Sequence, residues 1–175
     1  GTHPPAQIAS ASASARRTPP PARVLSVVGT NDLHGRVAAL PLLGGYLQNL
    51  RQARARDGGV VLVDAGDMYQ GTLESNLLEG KPIRDAYAVL GYDAVTIGNH
   101  EFDYGPVGPD ATPRSSADDP RGALLALSQG APYPFLAANL LQQKTKSRVE
   151  WPNVKSRATI DVAGVKVGLV GVTTE

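Results

Sequence analysis

The sequence predicts an α/β domain, and two observations carry the prediction. Three apolar runs of strand length, residues 24–28, 60–63 and 93–97, each lead into glycine and metal-type side chains. Amphipathic helical patterns lie between them, the alternation expected of parallel strands joined by crossover helices. Strands connected in this way bring their ends to one edge of one sheet, where open α/β sheets gather ligands. The three strand ends read Asn31-Asp32-Leu33-His34-Gly35, Asp64-Ala65-Gly66-Asp67 and Gly98-Asn99-His100-Glu101-Phe102-Asp103. That edge therefore collects Asp32, His34, Asp67, Asn99 and His100.

Residues 1–22 are rich in Pro, Ala and Ser and too poor in apolar side chains to pack, so they are expected to form a disordered or extended tail. His3 belongs to it and reads as solvated. The domain is expected over 23–175. After the first strand and its loop, Leu42, Leu43, Tyr46, Leu47, Leu50 and Ala53 recur at helical spacing, with Arg51, Arg54 and Arg56 largely off that stripe. Asp57-Gly58-Gly59 is expected to end this helix before the second strand. Thr72 suits the cap of a short helix carrying Leu73, Leu77 and Leu78. Pro82 suits the first turn of another that buries Ile83, Ala86, Val89 and Leu90 and stops at Gly91.

Residues 105–122 turn abruptly to Pro, Gly, Asp and Ser and read as a long surface loop beside the third strand end. A helix is expected over 122–129 and a fourth strand over 134–139. Residues 142–157 place five basic residues around the single tryptophan, Trp151, and read as a solvated loop with one pinned aromatic. A hairpin over 158–162 and 165–170 turns at Ala163-Gly164.

The length of 175 residues, 42% of them hydrophobic, suits one domain with a core. A formal net charge of +1 makes no case for a nucleic-acid polymer or an anionic membrane. The chain has no cysteine, which excludes disulfides and thiolate metal sites. No apolar run approaches the roughly 20 residues of a membrane span. Because the chain begins with Gly1, a processed or joined amino terminus is expected.

Asp32 and His34, two apart in an irregular loop, can offer an oxygen and an imidazole nitrogen to one divalent ion. Asp67 comes from the neighbouring strand end, and its two oxygens allow it to bridge two ions. Asn99 offers a neutral carbonyl oxygen to the second, with Gly98 permitting close backbone approach. Two ions about 3.5–4 Å apart activate water and hold the attacking and leaving oxygens of a phosphoryl displacement. His100 is the candidate for acid assistance or charge stabilisation, and Asp103 is placed to fix its tautomer. Each of these residues alone also reads as a turn, cap or packing residue, and Asp64 reads as a strand-end hydrogen-bonder. The ordered combination over three strand ends is what favours the metal-site reading.

That ordered set resembles the calcineurin-like metallophosphoesterases. The fuller wording, Thr30 to Gly35, Asp64-Ala65-Gly66-Asp67 with Gln70-Gly71-Thr72, and Gly98 to Gly105, resembles the secreted 5′-nucleotidase and 2′,3′-cyclic phosphodiesterase branch. The resemblance runs from about Arg23 to Thr174. It implies a β-sandwich flanked by helices, of which only the N-terminal portion is present. It further implies that Asp32 and His34 bind the first metal, Asp67 bridges, Asn99 binds the second, and His100 with Asp103 assists catalysis. The expected cofactors are two divalent ions, with zinc, manganese, iron, magnesium and calcium all open. The expected reaction is phosphate release from nucleoside 5′-monophosphates or opening of 2′,3′-cyclic nucleotides by metal-activated water, in a periplasmic or extracellular setting.

Members of that branch carry three further histidine ligands downstream, whereas His3, His34 and His100 are the only histidines here. The chain is therefore expected to be the N-terminal part of a larger enzyme, inactive by itself, with a C-terminal remainder as its partner. Apolar sheet surface is expected to lie uncovered without that remainder. Two alternatives stay open. One is a non-catalytic subunit that needs the missing segment to hold the second metal. The other is a hydrolase of the same superfamily acting on a non-nucleotide substrate.

Overall fold

A computed structural model describes residues 22–174. The expected tail, with His3, lies outside the described residues except for Ala22. Five strands, β1 (Val24–Thr30), β2 (Gly58–Asp64), β3 (Ala94–Thr96), β4 (Phe135–Leu136) and β5 (Val154–Lys155), form one parallel sheet in that spatial order. Helix α1 (Leu40–Arg54) crosses from β1 to β2. Helices α2 (Leu73–Asn76) and α3 (Lys81–Leu90), with a 3₁₀ turn at Leu77–Gly80, lie between β2 and β3, and α4 (Gly122–Gly130) precedes β4. Strands β6 (Arg157–Val162) and β7 (Val165–Val170) form an antiparallel hairpin. The result is a parallel sheet flanked by helices, with the two-stranded hairpin packed against it.

The sheet positions the site by register. Thr30 pairs with Asp64 and Asp64 with Val95, so β1, β2 and β3 end level with one another. On one face Leu62, Val95 and Phe135 meet Leu47 of α1, Ile83 and Tyr87 of α3, and Leu124 of α4 in a single buried cluster. Tyr87 stacks on Tyr92, ring centroids 3.9 Å apart. Truncating a fully buried member such as Leu47 to Ala would cost about 2–5 kcal/mol, so this face anchors the strand ends. On the other face the hairpin lies against the sheet: a Cβ on Gly59 would stand 2.4 Å from Val162 Cγ1. Val27 and Val170 remain exposed there, in line with the expectation of uncovered apolar sheet surface.

Local signals explain most boundaries. The Thr72 hydroxyl accepts the Ser75 N–H at the start of α2, and Pro82 sits in the first turn of α3. Gly91, at φ 74°, ends α3 by donating its N–H to the Tyr87 carbonyl. Three expectations need correction. Gly58 and Gly59 do not end α1; they open β2, because β1 runs so close that a Cβ on Gly58 would lie 1.7 Å from the Val24 carbonyl oxygen. The buried stripe of α1 is 40-43-47-50, so Leu42 and Tyr46, about 100° round the helix, face outward, as does Val89 in α3. The 142–157 segment is not wholly a loop: Val154 and Lys155 add β5 beside a β4 shorter than expected. Trp151 in that segment is pinned, edge-on to Phe102 at 6.3 Å and 5.5 Å beneath the Arg121 guanidinium. No helix among the described residues is long and apolar enough to cross a membrane.

Candidate metal centre and acid–base pair

The loop after β1 is laced to the loop after β2 by backbone. Asp32 N–H donates to the Gly66 carbonyl at 3.0 Å, His34 N–H to Asp67 at 3.1 Å and Gly35 N–H to Met68 at 3.0 Å. Following these bonds requires an unusual backbone: Asp32, His34 and Asp67 have φ of 50°, 46° and 56°. Left-handed non-glycine residues cost about 1–3 kcal/mol each and persist where surrounding bonds over-determine them. Three of the four candidate ligands, Asp32, His34 and Asp67, are held this way. Asn31 Nδ2 also donates to Asp32 Oδ2, and His34 Nδ1 lies 3.3 Å from the Gln70 carbonyl oxygen.

One ligand atom from each of Asp32, His34 and Asp67 lies within 4.8 Å of the other two. Ligands roughly 2 Å from a shared ion stand about 4 Å apart at most, so the set needs to close by less than about 1 Å. Two carboxylate oxygens and an imidazole nitrogen fit a hard or borderline divalent ion. Asn99 is exposed at the start of the 3₁₀ turn His100–Phe102, and the next amide, His100 N–H, donates to Asp67 Oδ1 at 2.9 Å. The third strand end thus meets the second at Asp67.

His100 and Asp103 form the expected pair, with Nδ1 2.6 Å from Asp103 Oδ2. That hydrogen bond is the main cause raising the His100 pKa above its ordinary value. The imidazole lies edge-on to His34, ring centroids 4.9 Å apart, which sets it beside the ligand cluster with Nε2 free of Asp103. Asp103 also lines an open cleft of about 770 Å³ with Gln70, Tyr104 and residues 107–109 of the long loop.

Two buried carboxyls complete the region. Asp64 does what a strand-end hydrogen-bonder would: it accepts from the hydroxyls of Thr30 at 2.5 Å and Tyr87 at 2.9 Å and from Gly66 N–H at 2.8 Å. Burial pushes its pKa up to about 6 against those bonds. Glu101 stands in the third motif, where the sequence assigns it no role. It is fully buried and accepts three backbone N–H groups, from Asp67 at 3.0 Å, Met68 at 2.8 Å and Gly98 at 2.6 Å. Burial pushes it up to about 7. Its only sequence signal is an acid directly after His100, in a turn where an exposed acid would be unremarked.

The level strand ends, laced loops and Asp/His/Asp cluster define a calcineurin-like phosphoesterase fold. A calcineurin-like phosphoesterase from Bacillus subtilis has this architecture with a TM-score of 0.59, at 22% identity over 85% of this chain and 48% of that one. A 5′-nucleotidase precursor from Thermus thermophilus matches with a TM-score of 0.62, at 28% identity over 86% of this chain and 28% of that one. By sequence the chain is a homologue of proteins named 5′-nucleotidase. The 5′-nucleotidase of Diplobatis ommata is 34% identical over 163 residues, which is 86% of this chain and 26% of that protein. The snake venom 5′-nucleotidase of Gloydius brevicauda is 31% identical over 164 residues, again 86% of this chain and 26% of that protein. The chain spans about a quarter of the length of these curated relatives. No protein-family model matches it.

Proposed function

We propose that these residues are the metal-holding and proton-donating part of a phosphoester hydrolase acting on nucleotides. The observation that carries the reading is the gathering of Asp32, His34 and Asp67 beside the His100–Asp103 pair. Homology to 5′-nucleotidases supports the substrate class. Asp32 and His34 would hold a first divalent ion, Asp67 would bridge, and Asn99 would hold a second. The ions, when bound, supply an acidified water and offset charge on the phosphoryl oxygens. His100, kept protonated to higher pH by Asp103, would present Nε2–H to a phosphoryl oxygen or protonate the leaving alkoxide. Asp103 would hold the tautomer and ring orientation that aim Nε2 at the substrate. Residues 23–175 would form one unit of the catalytic domain, following a tail over 1–22. Similarity to a venom enzyme supports export from the cell.

A second reading concerns completeness. Among the described residues, Asp67 and Asn99 alone stand as candidates for the second ion, which favours ligands supplied by a further segment. The 175 residues by themselves would then be inert, and the remainder would be their partner. The test is hydrolysis of 5′-AMP and of a 2′,3′-cyclic nucleotide with added manganese or zinc, alongside metal analysis, in His100→Ala and the parent protein. A fall in turnover of about 10²–10⁴-fold with metal content retained is expected. In a protein that hydrolyses either substrate, turnover unchanged by His100→Ala would sink the assignment of His100. Absence of bound metal from the parent would sink the site.

A further inference from the structure

Three loops from three strand ends must be held to within fractions of an ångström for a metal site to work, yet few of the bonds between them are made by the candidate ligands' own side chains. The bonds converge on one side chain. Glu101 Oε2 accepts the N–H groups of both Asp67 and Gly98, and Oε1 accepts that of Met68. The peptides it grips from the amide side offer their carbonyls to the first loop, Gly66 O to Asp32 N–H and Asp67 O to His34 N–H. From the same 3₁₀ turn, His100 N–H holds the side chain of Asp67 at Oδ1. Backbone and side chain of Asp67 are therefore both fixed by consecutive residues, which is how a φ of 56° is maintained.

We infer that Glu101 is the positioning residue of the metal centre: its carboxylate clamps the second and third loops together and, through their carbonyls, sets the place of His34 on the first. The inference rests on the metal-site reading above. The clamp leaves no slack. A Cβ on Gly66 would lie 2.7 Å from Gly98 N, and one on Gly98 would lie 2.3 Å from Asp67 Oδ1, so the two loops touch through bare backbone. Both carboxylate oxygens accept from these N–H groups, and an amide of the same shape must turn a donor toward at least one of them. Groups that orient ligands in this way commonly change metal affinity by about 10–100-fold when lost.

The test is manganese binding to the purified protein and to Glu101→Gln, followed by the free-ion signal in electron paramagnetic resonance, with thermal unfolding of each recorded without metal. The expected result is about 10–100-fold weaker manganese binding by the variant per folded molecule, with Glu101→Ala weaker again. Equal manganese affinity in a folded Glu101→Gln protein would overturn the inference while leaving the metal site standing. No manganese binding by the parent protein would overturn both. Amide hydrogen exchange of the metal-free parent provides a measurement that needs no variant. Protection of Asp67, Met68 and Gly98 N–H above that of exposed loop amides is expected, and exchange at the exposed-loop rate would overturn the clamp.

Discussion

Two irregular regions lie side by side in this protein and are built on opposite plans. The strand-end loops, 31–35, 64–72 and 98–104, are tied by bonds between residues more than thirty apart in sequence. The long loop over 105–121 is tied mostly to itself. Arg114 pairs with Asp110, Arg121 with Asp119, and Asp118 accepts the amides of Arg114 and Ser115. Gly108 N–H to Glu79 and Ala123 N–H to Gly105 are its wider anchors. Lack of regular secondary structure is thus no guide to rigidity. Where a bond reaches decides whether a loop is set by the fold or by its own sequence.

The two plans also differ in electrostatics. Asp64 and Glu101 in the strand-end region are pushed up by burial, whereas Asp118 and Asp119 in the long loop are held down, Asp118 by backbone N–H groups and Asp119 by Arg121. One region keeps carboxyls for what they accept. The other uses them as exposed pairs.

The sharpest way to break the comparison is at the candidate ligands. Asp67→Ala should abolish manganese retention and lower any phosphoester hydrolysis by more than about 100-fold, whereas Asp110→Ala should change neither, as read by metal analysis and turnover. Glycines come next. Gly98→Ala forces a Cβ into the Asp67 carboxylate and should cost about 3 kcal/mol in denaturant unfolding. Gly108→Ala, at φ 120° with nothing within 4 Å, should cost about 1–2 kcal/mol, from backbone strain alone.

The pH dependence of stability separates the regions by sign. A carboxyl at about 6 in the fold and 3.8 unfolded contributes stability fully below the unfolded value and loses it as pH rises through the folded one. For Asp64 that loss is about 3 kcal/mol between roughly pH 4 and 7, and Asp64→Asn should flatten that part of the curve in metal-free protein. The contribution of Asp119 has the opposite sense, present above its unfolded value and lost as pH falls. A fall in stability from pH 4 to 7 that Asp64→Asn leaves undiminished would contradict the assignment. The smallest effect belongs to Arg114→Ala. It removes a pair with the arginine side chain 77% exposed and should shift stability by less than about 0.5 kcal/mol.

Much of the site was legible because its signals are local. Apolar runs ending in glycine marked β1, β2 and β3, and parallel connection brought Asp32, His34 and Asp67 to one edge as expected. His100 and Asp103, three apart, could pair within a single turn. Asp64 was legible as a hydrogen-bonder, though its partners Thr30 and Tyr87 were not, since they come from β1 and α3.

The sequence by itself determined the order of strands and helices, the glycine breaks at each strand end and the identity of the side chains delivered there, because each depends on spacing within a few residues. Only the tertiary structure decided what holds those side chains in place. Glu101 became a clamp because burial put it between the amides of Asp67, Met68 and Gly98, and two of these lie more than thirty residues away. Gly58 became part of a strand because β1 presses on it, and Val154–Lys155 became a fifth strand because β4 lay open beside it. Contacts of that separation are set by packing of the whole sheet, and no local pattern in the chain encodes them.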